Sequence, residues 1–239
     1  SAASDVYKRQ VKSITNGRNV YRNIKNSIKF LLSGNMSGII AVLYASIMAL
    51  PVPFKAVHLL FINLLTDSLP AIAIGMEKSN KDLLKDKPRD SKESILTKDF
   101  MIEIAFEGLL IALFTIIAFH IGLSTGNKEV ASTMAFSTLC LARLFHGFNC
   151  RGKKSVFALG VFSNKFSWYA FGAGLVFLNA VLFIPPLQNL FQVASLSGSL
   201  VLAIYLLAFF PTLIIQVYKV FAKDNDRSEE KNAEKNLSI

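Results

Sequence analysis

The feature that most constrains the fold is a run of 53 residues, 166–218, that contains no Asp, Glu, Lys, Arg or His. A helix that crosses the hydrocarbon core of a bilayer needs about 20 apolar residues. The run is too long for one crossing, and Pro185 and Pro186 stand near its middle. It therefore predicts two membrane helices joined by a short turn.

Similar runs, uncharged or nearly so, occur earlier in the chain, and together they predict an all-α fold. The class is a polytopic membrane helix bundle with six transmembrane helices, at roughly 28–50, 57–76, 101–123, 130–149, 167–185 and 196–218. No secretory signal peptide is visible, because the first apolar run is too long to be one.

The net charge of +10 would suit a nucleic-acid partner, but the arrangement of the charges favours a membrane. With the N-terminus inside, the predicted inner segments carry 23 of the 26 Lys and Arg residues. The outer loops contain only Lys55 and Lys128, which is the positive-inside bias. We expect a multi-pass protein of a bacterial plasma membrane, with both termini cytoplasmic, the lipid bilayer as a partner and no nucleic acid.

A candidate cation site lies in the second predicted span, where Asp67 is the only carboxylate in residues 56–76. Asn63, Thr66 and Asp67 are spaced i, i+3 and i+4, so an α-helix would place their oxygens on one face. Pro70 cannot donate to the carbonyl of Thr66, which frees a backbone oxygen beside them. A carboxylate, an amide, a hydroxyl and free carbonyls at membrane depth are suitable ligands for a hard cation.

Two further residues are candidates for the same neighbourhood. The short outer turn at 51–53 makes the first two spans antiparallel neighbours, which brings Asn35 close to Asp67 in depth. Asn35 is then a ligand or an interhelical hydrogen-bond partner. Arg143 lies roughly 10 Å from the inner end of its span. It either extends to the headgroups or points inward and pairs with Asp67, and both alternatives remain open.

Several other residues receive structural interpretations. Gly34 and Gly38, four apart, indicate a close approach of another helix. Glu103 and Glu107 fall near the inner boundary, where carboxylates are usually interfacial. The two cysteines, on one predicted helix, are about 15 Å apart, too far for a disulfide, and are predicted to pack in the apolar core. No phosphate loop, Cys/His metal cluster or activated nucleophile is visible, so no catalytic residue and no bound cofactor is assigned to this chain.

The cytoplasmic segments give weaker predictions. Residues 11–29 carry apolar residues every fourth position at Val20, Ile24 and Ile28, which predicts an amphipathic stalk helix or a basic juxtamembrane anchor. The loop 77–99 holds 7 basic and 6 acidic residues and is either solvated or a docking surface. Residues 30–222 form the membrane domain, and 223–239 are predicted to be a disordered tail.

The motifs SGN in the first span, INLLTDSLPAIAIGM in the second and DLLKDKPRDSKESIL in the following loop resemble one family. They are similar to the C-terminal half of P-type cation-transporting ATPases, in the calcium-pump (type II) branch. The resemblance covers the chain from about Val11 and corresponds to the last six of the ten membrane helices of that family. Residues 1–10 fall outside it, and we interpret them as a non-family segment, for which a cloning or sequencing artefact is one explanation.

The resemblance implies a set of roles. Asn63, Thr66 and Asp67 match ion ligands of the family's sixth helix, and Asn35 matches one of its fifth. The loop 77–99 matches the one that contacts the phosphorylation domain. The family couples ATP hydrolysis to cation export through an aspartyl-phosphate, with ATP and Mg as cofactors of the full-length enzyme. Because the phosphorylation and nucleotide-binding domains are missing here, the resemblance implies a fragment.

Two departures from the family pattern concern the number of ions. Gly38 stands where two-ion calcium pumps carry a carboxylate, and Arg143 stands at about the position of another. The sequence therefore predicts one ion per cycle, with Arg143 as a fixed counter-cation. Calcium is expected; manganese, which also suits oxygen ligands, and a monovalent ion remain alternatives.

Two other classes of protein are alternatives to the pump. One is a free-standing six-helix cation channel or secondary transporter, and the other is a non-transporting membrane scaffold. A channel should show polar residues along several helices, and a secondary transporter often shows an internal repeat. The polar cluster is confined to the first two predicted spans and Arg143, which favours the pump.

Overall fold

The structure, a computed structural model, describes residues 2–79 and 94–237, and every regular element within them is helical, which agrees with the all-α prediction. The helices are α1 (Ala2–Ile47), α2 (Ala56–Phe61), a π-helix (Ile62–Asp67), α3 (Ser68–Gly75), α4 (Lys98–Leu123), α5 (Lys128–Asn149), α6 (Val156–Leu159), α7 (Lys165–Phe183), α8 (Pro185–Phe191) and α9 (Gly198–Leu237). Most of the predicted docking loop 77–99, residues 80–93, lies outside the described residues.

Five helical segments among the described residues are long and apolar enough to cross a membrane. They are Arg9–Ile47, Ala56–Gly75, Lys98–Leu123, Lys165–Phe183 and Gly198–Phe221. The predicted fourth span, 130–149, is not among them, so the count of six and the placement of both termini stay predictions.

The fourth predicted span corresponds to α5, and its burial explains why it is less apolar than the others. Because other helices cover it, its side chains face protein and need not be as apolar as those that face lipid. Of its 22 residues, 17 are buried. The buried set includes Ser132, Thr133, Ser137 and Thr138, whose hydroxyls lower its apolar character. A helix buried on all sides by protein can carry such groups when they are hydrogen-bonded, as Ser137 Oγ is to Thr133 O at 2.7 Å.

Helix α1 runs without a break for 46 residues through the predicted stalk and first span. The predicted alternatives for this segment, a stalk helix and a juxtamembrane anchor, both stay open. Val20 and Ile24 are 56% and 49% exposed, so they do not pack closely on the described residues. Asparagines pack instead, since Asn23 Nδ2 donates to Glu77 O at 2.8 Å and Asn26 Nδ2 donates to Arg151 O at 3.1 Å. The carbonyls at helix ends lack intrahelical donors, and these amides supply them.

The last two long helices are joined differently from the predicted turn. Pro185 begins the short helix α8, a favourable place for a residue with no N–H to donate. Helix α8 ends at Phe191, and the next residue, Gln192, has the left-handed backbone φ of 54°. Helix α9 continues to Leu237, over residues for which the composition predicts disorder, and the boundaries of the predicted domains remain predictions.

Candidate cation site

The second predicted span is interrupted by the π-helical turn Ile62–Asp67. Pro70 lies four residues after Thr66 and has no N–H to donate to the Thr66 carbonyl. Ser68 Oγ donates to Asn63 O at 2.9 Å, so a side chain compensates part of the altered hydrogen bonding. Single π-turns inside α-helices are frequent at functional sites, where they re-aim side chains.

The π-turn separates the three predicted ligands of this span. Thr66 and Asp67 are buried, with 0% and 5% of their surface exposed, whereas Asn63 is exposed. The shared face predicted from α-helical spacing is therefore not formed, because i→i+5 bonding changes the angle between residues 63 and 66. Thr66 Oγ1 donates to Ile62 O at 3.0 Å, which leaves its oxygen free to accept or to coordinate.

Arg143 points inward, which decides between its two predicted orientations. Its side chain is 2% exposed, and Nη2 lies 3.0 Å from Asp67 Oδ1. The same nitrogen donates to Asn35 Oδ1 at 2.8 Å. The approach to Asp67 is an ion pair without a well-aligned hydrogen bond, because within the described part of the chain neither Asp67 Oδ1 nor Arg143 Nε has a hydrogen-bond partner.

Gly34 provides the space for this arginine. A Cβ atom at Gly34 would lie 2.4 Å from Arg143 Nε and 2.5 Å from Nη2, so the guanidinium rests against bare backbone. At Gly38 a Cβ would meet only Leu139, at an ordinary 3.7 Å. The close contact at Gly34 is with a side chain and the contact at Gly38 is ordinary, so the close helix approach predicted for this glycine pair stays a prediction.

The four candidate ligands therefore form two groups. Thr66 and Asp67 are inside the bundle beside Arg143, and Asn35 and Asn63 lie at its exposed surface. Arginine keeps its charge under all ordinary conditions, so Asp67 and Arg143 together are neutral. The four side chains provide hard oxygen donors. Asn35 and Asn63 are exposed, whereas the guanidinium of Arg143 lies beside Asp67.

The inner end of α3 is fixed by a second buried ion pair, which the sequence reasoning missed. Arg151 Nε donates to Glu77 Oε2 at 2.8 Å, and Nη2 donates to Glu77 Oε1 at 2.9 Å. Asn164 Nδ2 adds a bond to Glu77 Oε2 at 2.8 Å. No sequence signal marked this pair, because Glu77 and Arg151 are both predicted to lie just outside spans and are distant in the chain.

Of the two glutamates of α4, Glu107 differs from its predicted interfacial role, whereas the side chain of Glu103 is 40% exposed and its role stays a prediction. Glu107 is 2% exposed and its Oε1 accepts from Lys29 Nζ at 2.8 Å, and Lys29 also pairs with Glu103. Glu107 is therefore a buried acid, held by a lysine that the amphipathic pattern of α1 placed in the cytoplasm. Cys140 and Cys150 are buried and free, as predicted.

The family becomes clear when the whole chain is compared with known proteins. Residues 51–221 match the family model described as "Cation transporting ATPase, C-terminus". This chain belongs to that family. As a member with several apolar helices, it is an integral, multi-pass membrane protein.

Its relatives agree with the predicted branch of P-type ATPases. The chain is 36% identical over 232 residues to Calcium-transporting ATPase 1 of Bacillus cereus, covering 90% of the chain and 26% of that protein. It is 37% identical to the Calcium-transporting ATPase of Bacillus subtilis, covering 77% and 21%. Calcium-transporting ATPase type 2C member 1 of Mus musculus is 33% identical, covering 81% and 21%. The chain thus spans only about a quarter or less of these relatives.

Proposed function

We propose that this chain is the ion-binding membrane part of an ATP-driven cation export pump, with calcium as the transported ion. The C-terminal family match and the names of the relatives support this proposal. In the full-length pump, ATP and Mg would be bound by the domains that precede this part. The phosphorylation domain would contact the loop 77–99, and the relatives from bacteria favour a plasma-membrane location.

The donor set fits a hard cation but does not complete its coordination. Asn35, Asn63, Thr66 and Asp67 offer amide, hydroxyl and carboxylate oxygens, and calcium takes about 6–8 such ligands. Asn35 and Asn63 are exposed in this chain, so they have room for a neighbour that supplies more. We propose that the remaining ligands come from a helix of the pump that lies outside this chain.

The position of Arg143 is the observation that supports a proposed number of transported ions per cycle. Its Nη2 lies within 3.0 Å of Asp67 and 2.8 Å of Asn35, so a positive charge already stands between two of the four ligands. Two like charges a few ångströms apart inside a protein repel by several kcal/mol. We therefore propose one transported ion per cycle, with Arg143 in place of a second.

The carboxylate can be tested by cation-dependent phosphorylation of the full-length protein carrying Asp67→Asn. We expect phosphorylation to require at least about tenfold more calcium, since the only charged ligand is gone. Asn179→Ser is the matched control, because Asn179 pairs with Tyr205 at 2.8 Å on α7 and α9, away from the site. Calcium dependence equal to that of the wild type would remove Asp67 from the site.

The stoichiometry can be tested by counting calcium ions bound per phosphorylated protein. We expect a value near one for the wild type. A value near two would overturn the role given to Arg143. Replacing calcium with manganese in the same assay then shows whether the site distinguishes the two ions.

A further inference from the structure

A second cluster of buried polar side chains lies near Arg143. It contains three residues of the types that bind metal ions, although they are not close together in the sequence as a metal motif. Glu107, His146 and Cys150 are all buried, and their ligand atoms lie within 4.8 Å of one another. His146 Nε2 is 3.5 Å from Glu107 Oε2 and 3.3 Å from Cys150 Sγ. Such donors are those of zinc sites. Whether His146 can bind a metal depends on which ring nitrogen carries the proton.

The position of the His146 proton follows from a series of hydrogen bonds that begins at a backbone donor. The N–H of Val156, at the start of α6, points to Gln216 Oε1 at 2.9 Å. Only the oxygen of an amide accepts, so this contact fixes the orientation of the Gln216 side chain. Gln216 Nε2 therefore donates to Asn149 Oδ1, at 2.7 Å.

The orientation of Asn149 follows and sets the tautomer of the histidine. With Oδ1 on Gln216, Asn149 Nδ2 faces His146 Nδ1 and Thr212 Oγ1, each at 3.2 Å. An amide N–H that faces a ring nitrogen requires that nitrogen to be an acceptor. The proton of neutral His146 is therefore on Nε2, the nitrogen that faces Glu107 and Cys150.

The chain of hydrogen bonds then continues onto α1. His146 Nε2 lies 2.9 Å from Ser33 Oγ, and Ser33 donates its own hydrogen to Lys29 O at 2.7 Å. The chain thus runs from a backbone N–H on α6 to a backbone carbonyl on α1, with every donor direction determined. It passes through α9 and α5 on the way.

We propose that His146 is a positioning residue, locked as an Nε2–H donor, that docks α1 on α5 and is thereby withheld from metal binding. Ser33, the residue it binds, precedes Gly34, on which the guanidinium of Arg143 rests. The hydrogen bond between His146 and Ser33 therefore fixes how α1 is aligned along α5, and this alignment brings Asn35 to Arg143. This proposal does not depend on the proposed transport function.

The charges around the cluster agree with a site without a metal. Lys29 Nζ occupies Glu107 Oε1 at 2.8 Å, and Lys219 Nζ, from α9, donates to Asn149 O at 2.5 Å and Gly152 O at 2.7 Å. The half-exposed Glu103 on α4 is the second acid that faces Lys29. Two buried ammonium groups repel a metal cation from this position.

The tautomer can be measured directly by nitrogen NMR of the 239-residue chain, labelled at its three histidines, in detergent micelles. We expect His146 to show a protonated Nε2 and an unprotonated Nδ1, with its signals identified by their loss in His146→Gln. A protonated Nδ1 in the wild type would overturn the proposal.

Gln216→Glu should move the proton of His146 from Nε2 to Nδ1. A carboxylate accepts the Val156 N–H as before but has no N–H for Asn149, so Asn149 turns and presents Oδ1 to His146 Nδ1. The proton then moves to Nδ1, and Nε2 gains a free lone pair. We expect the NMR signature to switch and zinc affinity to rise at least about tenfold over the wild type.

Two controls separate this switch from the added negative charge or from misfolding. Gln216→Glu combined with Cys150→Ser should keep the switched tautomer and lose the gain in zinc affinity. Asn149→Asp should give the same switch by a different route, because its carboxylate accepts from both Gln216 Nε2 and His146 Nδ1. An unchanged tautomer in both folded variants, or zinc bound by His146 in the wild type, contradicts the proposal.

Discussion

Arg143 and Arg151 are both almost fully buried, at 2% and 1% exposure, yet their surroundings differ. Arg151 binds both oxygens of Glu77 and also donates to Gly160 O at 3.2 Å and Ser163 Oγ at 2.6 Å. Among residues 2–79 and 94–237, Arg143 makes one hydrogen bond, to Asn35, and the poorly aligned ion pair with Asp67, and its Nε has no partner.

The difference lies in how many polar atoms of each pair are matched. A buried charge pair with most of its donors and acceptors matched is held in one geometry, and removing one partner leaves the other charge buried without compensation. A pair with unmatched donors and acceptors is held less firmly. We therefore call the pair of Arg151 and Glu77 the anchor, and expect it to stabilise the fold more than the pair of Arg143 and Asp67.

The largest effect should come from breaking the anchor. Arg151→Met leaves Glu77 buried without its bidentate partner, which costs about 3–5 kcal/mol. We expect a large fall in the unfolding temperature of the chain in detergent. Adding Glu77→Gln in the same chain should recover part of the loss, because the orphaned charge is then removed. A loss below that of Arg143→Met would contradict the comparison.

Arg143→Met should cost less, about 1–3 kcal/mol, because only one hydrogen bond and an off-axis ion pair are lost. The check is the same unfolding measurement under identical conditions. Asp67→Asn in the Arg143→Met background should restore most of the stability. If the double variant is no more stable than Arg143→Met, the two side chains are not coupled.

Gly34→Ala should have a smaller effect, near 1 kcal/mol, since overpacking is cheapest where the obstacle is the end of a flexible side chain. The added methyl would lie 2.4–2.8 Å from the guanidinium atoms of Arg143, so the guanidinium must move. Gly38→Ala is the matched control and should change stability by less than about 0.5 kcal/mol. Equal effects at the two glycines would show that Arg143 does not rest on Gly34.

The smallest effect on stability is expected for Asn63→Leu, within about 0.5 kcal/mol, because this side chain is exposed and most of its surface contacts none of the described residues. Asn23→Leu provides the contrast, since that buried amide holds the carbonyls of Gly75 and Glu77. A large loss for Asn63→Leu in unfolding measurements would show that Asn63 supports the fold and is not reserved for a ligand.

The sequence predicted the features that follow from local composition. The helical class, most of the spans and the isolation of Asp67 depend on residues that are close in the chain. The sequence does not decide the direction of Arg143, because a side chain of that length reaches either the headgroups or Asp67. Packing against Gly34 decides it, and that contact joins distant parts of the chain.

The features that were missed depend on which helix faces which. The apolar spacing of Val20 and Ile24 does not indicate which face of α1 packs, because the contact is made by Asn23, whose amide binds the open carbonyls at the end of α3. Glu107 seemed interfacial by its position, although Lys29 offers it a partner at depth. The π-turn before Pro70 could not be derived from spacing, because the same residues also fit an α-helix.

The unbroken helix α1 has a mechanical consequence. Between Ala2 and Asn19 it is about 25 Å long at the α-helical rise. From Asn19 onward, hydrogen bonds hold the helix to the rest of the bundle: Asn19 and Asn23 donate to Glu77 O, and Asn26 donates to Arg151 O. A tilt of about 5° about Asn19 would move the far end by roughly 2 Å. Such a movement would reach Asn35 only by shifting these contacts between amides and carbonyls.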